Sequence, residues 1–313
     1  MFSAVKRIPP ASRRLLLVAV LAFAVFLLIY LLAVQTEIGQ RWDNAALATS
    51  ENVPERVRDE ANDALGIVST GSLLLAGIGL GLILVLRGRA TLALVPLATI
   101  GASLVATEIF KLVIFTRPEL ALDPILNYNG YPSGHTSVAA SIGLAAIVAA
   151  PRRLRALTAL AAFALAAGGG VTVVIAAWHR PSDALGSFAI TLAATAAVLA
   201  ATYTWRPELV PRAPQRGEPG TSLLKRIELV GVVAGIGLFT AAIAAATLRY
   251  GAEIDWTKPD AAFLVSLAAI VAAAAIMVGV MMRTLRVPIS LASQGEVDPP
   301  PQRSRSDTVV APS

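Results

Sequence analysis

The sequence predicts an all-α membrane protein, a polytopic bundle of about eight transmembrane helices. Hydrophobic residues make up 56% of the chain and charged residues only 15%, and the mean hydropathy is +0.70. A water-soluble domain is normally less apolar and more charged. The apolar residues form long runs without the strict alternation of barrel strands, which favours helices. The absence of cysteine excludes disulfides, thiolate metal sites and cysteine nucleophiles.

Eight apolar runs have about the length that a helix needs to cross a bilayer, roughly 20 residues. In chain order the predicted spans are Leu15 to Val34, Thr70 to Leu86, Ala90 to Phe115, Ser133 to Ala150, Ala156 to Trp178, Asp183 to Tyr203, Leu229 to Leu248 and Ala261 to Met282. Between the first two spans we expect a solvated external cap, with a short helix over Pro54 to Leu65 that ends at Gly66. Residues 205–228 are rich in Pro, Gly and Arg and predict a cytoplasmic linker, while residues 283–313 predict a disordered tail.

Basic residues set the expected orientation, because cytoplasmic loops carry an excess of Lys and Arg. Most of the 26 Lys and Arg residues lie in residues 1–14, in the second, fourth and sixth loops, and in the tail. This pattern predicts a multi-pass protein of the cell membrane with both termini in the cytoplasm. The formal charge of +6 then reflects topology, and we expect no nucleic-acid partner because the basic residues do not line one face. The sequence leaves the oligomeric state open.

The two histidines of the chain both lie in short polar motifs at the ends of predicted spans. His135 closes the motif Pro132-Ser133-Gly134-His135, and His179 precedes Asp183 by about one helical turn. Lys111 and Arg117 stand near the end of the third span. Histidine titrates near neutral pH, and cations and helix N-termini bind anions. Because all three stretches are expected at the external ends of spans, they predict one outward-facing pocket for phosphoryl transfer.

At these residues the chain resembles the type 2 phosphatidic acid phosphatase superfamily, integral membrane lipid phosphatases related in fold to vanadium haloperoxidases. Pro132-Ser133-Gly134-His135 matches the second motif of the family letter for letter. His179 and Asp183 match the H-x-x-x-D end of the third motif, and Lys111 with Arg117-Pro118 resembles the first. The resemblance covers about residues 90–203. It implies a six-helix phosphatase core over residues 15–204, with two additional transmembrane helices in residues 229–282.

The resemblance also implies a role for each motif residue. His179 is the nucleophile that becomes transiently phosphorylated, Asp183 orients its ring, and His135 protonates the departing oxygen. The phosphate is bound by Lys111, Arg117, Ser133 and the backbone N–H of Gly134. The implied reaction is hydrolysis of a lipid phosphomonoester or diphosphate at the extracytoplasmic face, without a metal or cofactor. Polyprenyl diphosphate, phosphatidic acid and phosphatidylglycerol phosphate are the candidate substrates.

The third motif departs from the family pattern. The family carries an arginine where Val173 stands in this chain, and a serine where Thr172 stands. Our hypothesis is that Arg180, next to the nucleophile, supplies the missing charge. The alternative is a catalytically weak or inactive member of the family that binds or moves a phospholipid. The interval from Lys111 to Arg117 is also one residue shorter than is usual in the family.

Simpler structural roles stay open for several of these residues. Ser133 and Asp183 would also serve as helix caps. Lys111 would also form an ion pair with Glu108 one turn earlier. Arg180 would also fit as an ordinary interfacial arginine.

Two further groups have expected roles outside catalysis. An aromatic belt at the membrane interface would account for Tyr128, Tyr131 and Trp178, although contact of these residues and of Asn129 with a lipid head group stays open. The glycine run Gly168 to Gly170 falls in the middle of a predicted span. We expect it to permit close helix approach.

Overall fold

The computed structural model describes residues 8–67, 70–121, 126, 128–210 and 259–285. Within these residues the chain forms nine α-helices and no strand. In chain order they are α1 (Pro10–Ile29), α2 (Glu37–Ser50), α3 (Glu55–Gly66), α4 (Thr70–Leu86), α5 (Leu94–Ile109), α6 (Gly134–Ala149), α7 (Arg155–Ile175), α8 (Pro181–Trp205) and α9 (Pro259–Thr284). The predicted all-α class is confirmed. Short π-helical turns, Tyr30–Val34 and Phe110–Ile114, extend α1 and α5.

Five helical segments of the described chain are long and apolar enough to cross a membrane, which supports insertion in a bilayer. They are Pro10–Val34, Ala90–Ile114, Arg155–Ile175, Pro181–Trp205 and Ala261–Thr284. Two shorter apolar helices, Leu75–Leu86 and Gly134–Ala149, coincide with the second and fourth predicted spans. The seventh predicted span, Leu229 to Leu248, lies outside the described residues, as do most of the predicted linker and tail.

The centre of the bundle is α8, which packs against α1, α5, α6, α7 and α9. Its buried side is lined by small residues together with a few large ones, among them Phe188 and Leu199. Such small side chains allow neighbouring helices to approach closely. Large apolar side chains point outward on α1 and α4, including Leu17, Leu21 and Leu82. A lipid environment would cover these exposed side chains.

The glycine run on α7 permits close helix packing, as expected, at two of its three positions. A methyl group built at Gly170 would come 2.7 Å from Cγ2 of Ile270 on α9, and one at Gly169 would come 2.7 Å from the Cβ of Ala139 on α6. At Gly168, no described atom outside the local backbone of α7 lies within 4 Å of the same position. The expected role in helix packing is therefore confirmed for Gly169 and Gly170. Through Gly170, α9 joins the same apolar core as α7 and α8.

The segment after α1 differs from the expectation of a solvated external cap. The predicted short helix is confirmed as α3, but the segment also contains α2, which buries Gln40, Asp43 and Asn44. These side chains recur at helical spacing, so they share one face. The sequence alone predicts that these polar side chains face solvent. In the structure they bind backbone and side-chain groups around the polar motifs, and the solvated-cap prediction is wrong for α2.

Candidate active site

The histidine of the third motif is held against its aspartate at the start of α8. Nδ1 of His179 lies 3.1 Å from Oδ2 of Asp183, and the same oxygen accepts the backbone N–H of Arg180 at 3.1 Å. An ionised carboxylate can only accept, so Nδ1 donates the hydrogen bond and Nε2 keeps its lone pair. His179 is 8% exposed and Asp183 is fully buried. Asp183 thus caps α8 and orients the imidazole with one oxygen atom.

The end of α7 fixes the backbone at His179. The N–H of Trp178 donates to the carbonyl of Val173 and that of Ala177 to the carbonyl of Val174, each at 3.0 Å. Ala177 has a φ of 58°, and these two bonds around a left-handed residue form a Schellman motif. The N–H of His179 also donates to Val173, at 3.1 Å. The chain therefore turns sharply from α7 into the third motif.

The position that carries an arginine in the family lies inside the bundle. The side chain of Val173 is fully buried in the main apolar cluster, while its backbone carbonyl accepts the N–H groups of Trp178 and His179. An arginine with the same backbone direction would need a charged partner in that cluster. Valine in place of the arginine therefore suits the apolar surroundings of this position.

Hydrogen bonds join the N-termini of α6 and α8. Ser133 caps α6, because its hydroxyl oxygen accepts the N–H of Thr136 at 3.3 Å. The N–H of Ser133 donates to the carbonyl of Asp183 at 3.1 Å. The hydroxyl of Ser187 lies 2.8 Å from the carbonyl of Ser133 and 2.7 Å from that of Asp183. Two helix N-termini, each a favourable site for an anion, are thereby fixed side by side.

Lys111 and His135 are brought to the same place. Nζ of Lys111 pairs with Oε1 of Glu108 at 3.0 Å and lies 3.6 Å from where a Cβ would stand on Gly134. His135 is half-buried, and both Lys111 and His179 lie within electrostatic range of it. The ion pair with Glu108 is therefore present, but it engages only one of the three donors of the ammonium group.

Trp178 contacts the second histidine directly. Its indole ring meets the ring of His135 edge-on, with 5.1 Å between centroids and 78° between planes. This packing restrains the imidazole of His135 beside the third motif. Trp178 itself is still 36% exposed, so its contact with His135 is compatible with a place in the predicted aromatic belt.

The loop before the second motif passes against the His–Asp pair, which the sequence analysis missed. A methyl group built at Gly130 would lie 3.0 Å from Nδ1 of His179 and closer still to Oδ2 of Asp183. Asn129 ties this loop to the end of α5, donating to the carbonyls of Lys111 at 3.2 Å and Phe115 at 3.1 Å. The signal available was the Asn-Gly pair itself, which marks a tight turn.

Tyr131 does not belong to an aromatic belt, and that expectation is wrong for this residue. It is fully buried, and its hydroxyl donates to the carbonyl of Phe26 at 2.6 Å. Its ring stacks on the Phe26 ring with 5.2 Å between centroids. The ring also covers Gly186 of α8, where any side chain would overlap it. Tyr131 thus anchors the second motif between α1 and α8.

Arg117 is buried beside α2. Its Nη1 lies 3.5 Å from Oδ2 of Asp43, and its Nη2 donates to Oδ1 of Asn44 at 3.4 Å. Asp43 also accepts the backbone N–H of Ser182 at 3.1 Å and its hydroxyl at 2.5 Å. Burial, together with the charge of Asp183, raises the pKa of Asp43 to about 6, against the opposing effect of Ser182 and Arg117. The sequence analysis did not single out Asp43, because it lies in the segment assigned to the solvated cap.

Arg180 points toward the loop rather than into open solvent. Its guanidinium donates to the carbonyls of Tyr128 at 3.1 Å and Leu126 at 2.7 Å, and the residue is 1% exposed. It lines a cavity of about 320 Å³ together with Arg117, Asn129 and other residues. The role of Arg180 in phosphate binding stays a prediction.

Comparison with known proteins agrees with this geometry. Residues 92–207 match the family model of the PAP2 superfamily. The chain carries a PAP2 superfamily domain. The resemblance drawn from the three motifs is thereby confirmed, and all the predicted site residues lie inside the matched segment. No curated protein and no solved structure matches the chain.

The match of residues 92–207 to the PAP2 superfamily supports a phosphatase-type activity on phosphate esters. The described part of the PAP2 domain brings a buried His–Asp pair, a second imidazole and two helix N-termini to one place. Phosphoryl transfer requires groups of this kind: an imidazole oriented by a carboxylate, and N–H donors that can bind anionic oxygens. Across the described residues, no three His, Asp or Glu side chains form a group that could hold a metal ion. Metal independence remains a prediction.

Proposed function

We propose that this protein is a lipid phosphatase that hydrolyses a lipid phosphomonoester or diphosphate at the extracytoplasmic face of the cell membrane. The observation that carries the proposal is the buried His179–Asp183 pair within electrostatic range of His135. The motif residues lie at the ends of helices that are long and apolar enough to cross a membrane, Lys111 at the end of one and Asp183 at the start of another. A membrane-embedded site favours a substrate whose phosphate is attached to a lipid. Polyprenyl diphosphate, phosphatidic acid and phosphatidylglycerol phosphate are the substrates to test.

In the first step, Nε2 of His179 attacks the phosphorus atom and the bond from phosphorus to the leaving oxygen breaks. His135 donates a proton to that oxygen, so the lipid leaves as an alcohol or, from a diphosphate, as a lipid phosphate. The product on the enzyme is phosphohistidine. Asp183 stabilises the positive charge that develops on the imidazole of His179, because its carboxylate accepts the hydrogen bond that Nδ1 donates.

In the second step, water attacks the phosphohistidine. His135, now neutral, takes a proton from the water, the bond from nitrogen to phosphorus breaks, and inorganic phosphate leaves. His179 returns to its original state with Nδ1 protonated. One histidine therefore serves as acid and then as base, which suits a group that titrates near neutral pH.

The phosphoryl oxygens are bound by the groups around the two helix N-termini. Lys111 and the backbone N–H of Gly134 lie at the start of α6, next to Ser133. Arg117 and Arg180 contribute positive charge from the other side, where they line a common cavity. Fixed donors aimed at a transferring phosphoryl group stabilise its charge more than water does.

The site faces outward in this proposal, with both termini in the cytoplasm. The support is the distribution of Lys and Arg, which are concentrated in alternate connections. The external segment with α2 and α3 then lies on the same side as the PAP2 motifs, and α2 contacts those motifs directly.

The test is phosphate release by purified protein in detergent with EDTA, using polyprenyl diphosphate and phosphatidic acid as substrates. We expect turnover by the wild type under chelation. His135→Ala should lower kcat by about 10²- to 10⁴-fold, as loss of a general acid does, and His179→Ala should abolish measurable turnover. Equal residual activity in all three proteins would contradict the proposal, because it would indicate a contaminating phosphatase.

A second candidate is a catalytically weak or inactive PAP2 member that binds or moves a phospholipid. Two observations favour it: Val173 is buried where the family carries an arginine, and the guanidinium of Arg180 is bound to loop carbonyls. This candidate predicts binding of phosphatidic acid vesicles without phosphate release. It also predicts that His179→Ala binds the vesicles as well as the wild type does.

A further inference from the structure

The side chain of Asp43 on α2 joins two of the PAP2 motifs. One oxygen, Oδ1, accepts the N–H of Ser182 at the start of α8. The other, Oδ2, accepts the Ser182 hydroxyl at 2.5 Å and lies 3.5 Å from Nη1 of Arg117. The carboxylate is fully buried at 1% exposure. A buried charge with three polar contacts is costly to place and holds its partners in a fixed geometry.

One turn before Asp43, Gln40 fixes the backbone that follows Arg117. Its amide nitrogen donates to the carbonyls of Val34 at 2.8 Å and Pro118 at 2.6 Å. Its oxygen accepts the N–H groups of Leu120 at 3.2 Å and Ala121 at 3.1 Å. Both donors and both lone pairs of this amide are therefore used within the protein. The backbone on the C-terminal side of Arg117 is held by α2.

Two side chains of α2, Gln40 and Asp43, therefore contact the chain at the first motif, and Asp43 also contacts the third motif. We propose that Asp43, supported by Gln40, is a positioning residue for phosphoryl transfer: it holds Arg117 and the N-terminus of α8 in fixed relation around the phosphate. The proposal rests on the proposed phosphatase function. Asp43 acts through its neighbours and does not touch the phosphate.

The physical reason lies in the guanidinium of Arg117. A buried arginine needs a negative partner, and a fixed carboxylate sets the direction in which the planar guanidinium group lies. Without Asp43 the guanidinium would turn toward water, and Ser182 would lose the acceptor that fixes the start of α8. A displacement of about 1 Å in such a group costs up to about 100-fold in rate.

The same helix is anchored to a part of the chain outside the PAP2 match. The indole N–H of Trp42 donates to the hydroxyl of Ser266 on α9 at 3.1 Å, and α9 packs against α2 and α7. α2 therefore connects α9 to the phosphate-binding side chains. This arrangement gives α9 a supporting role for the site.

The test compares Asp43→Asn with a matched control, Asp63→Asn, which makes the same change at an exposed position of α3. Two readouts are used on folded, detergent-purified protein: the dissociation constant for orthovanadate, a phosphate mimic, and kcat and KM with the lipid phosphate that the wild type hydrolyses. We expect Asp43→Asn to bind orthovanadate about 10- to 100-fold more weakly. KM should rise more than kcat falls, because Arg117 binds the phosphate before the reaction begins.

Gln40→Ala is the second variant and should shift both readouts in the same direction, so it decides the question if Asp43→Asn does not fold. Unchanged orthovanadate binding in a folded Asp43→Asn or Gln40→Ala protein would overturn the positioning role. An equal loss in Asp63→Asn would overturn it as well. Orthovanadate binding that depends on Asp43, in a wild type that releases no phosphate, would support positioning and refute the phosphatase proposal. Absence of both activities in the wild type would refute both proposals.

Discussion

At the scale of single residues, the site depends on a glycine that the motifs do not include. Gly130→Ala would place a methyl group 3.0 Å from Nδ1 of His179 and still closer to the Asp183 carboxylate. The pair would have to separate, and the imidazole would lose its orientation. We expect kcat to fall by about 100-fold or more, because the nucleophile is displaced. Steady-state phosphate release measures this change.

The matched control is Gly101→Ala in α5, where a methyl group would have no atom within 4 Å. That variant should keep the wild-type kcat. Full activity in Gly130→Ala would mean that the loop backbone does not lie against the pair during catalysis.

Asp43 predicts a pH dependence of stability. Its pKa is raised to about 6 in the folded protein from 3.8 in the unfolded chain, so folding favours the protonated form. The contribution of protonated Asp43 to the stability of the folded protein is fully present below about pH 4. It is lost as the pH rises through 6. Between pH 4 and 7 the wild type should lose about 2 kcal/mol of unfolding free energy relative to Asp43→Asn, which cannot ionise.

Unfolding in detergent at a series of pH values measures this difference, with Asp63→Asn expected to run parallel to the wild type. Parallel curves for the wild type and Asp43→Asn would show that the carboxyl of Asp43 titrates near its ordinary value in the folded protein.

At the scale of elements, the end of α7 contains strain that can be relieved. Ala177 adopts a φ of 58°, a left-handed conformation that costs about 1 kcal/mol or more for a residue with a Cβ. Ala177→Gly should therefore stabilise the protein by about 1 kcal/mol without changing the Schellman bonds. Thermal unfolding in detergent gives the difference.

The neighbouring Ala176 is the control, because it has a φ of −72° in the right-handed region. Ala176→Gly should be neutral or destabilising by up to about 1 kcal/mol. Equal effects at the two positions would contradict the assignment of strain to Ala177.

The sequence predicted the apolar helices well, because a bilayer imposes length and composition on each span. It also predicted where α6 begins, since Ser133 is a strong signal for a helix start. It failed for α2. Gln40 and Asp43 are polar in composition, and only the tertiary contacts to Pro118 and Ser182 show that they are buried. Pattern reasoning has no access to such long-range partners.

The sequence predicted the motif residues of the candidate site but not the residues that support them. His135 and His179 are the two histidines of the chain, and both were found in motifs at the ends of predicted spans. Their proximity was predicted because the expected topology puts those ends on the same side of the membrane. The supporting residues were not predictable, because Gly130 and Asn129 act through close backbone approach and hydrogen bonds. The side chain of Arg180 also lies against loop carbonyls, and a sequence does not reveal that direction.

At the scale of the whole molecule, the described helices form one continuous packing arrangement. The PAP2 match ends at residue 207, yet α9 packs on α7 at Gly170 and on α2 at Ser266. A division into a six-helix core over residues 15–204 and two additional helices over residues 229–282 stays a prediction. The contacts of α9 indicate that it stabilises the end of the PAP2 domain that carries the motifs.

The central claim is that His179 accepts the phosphoryl group of a lipid phosphate. The most direct measurement is to quench the wild type during turnover under alkaline conditions, which preserve phosphohistidine, and to locate the phosphate by peptide mass spectrometry. The account predicts phosphate on the peptide that contains His179, and none in His179→Ala. Phosphate release without any phosphorylated His179, or undiminished release by His179→Ala, would contradict it.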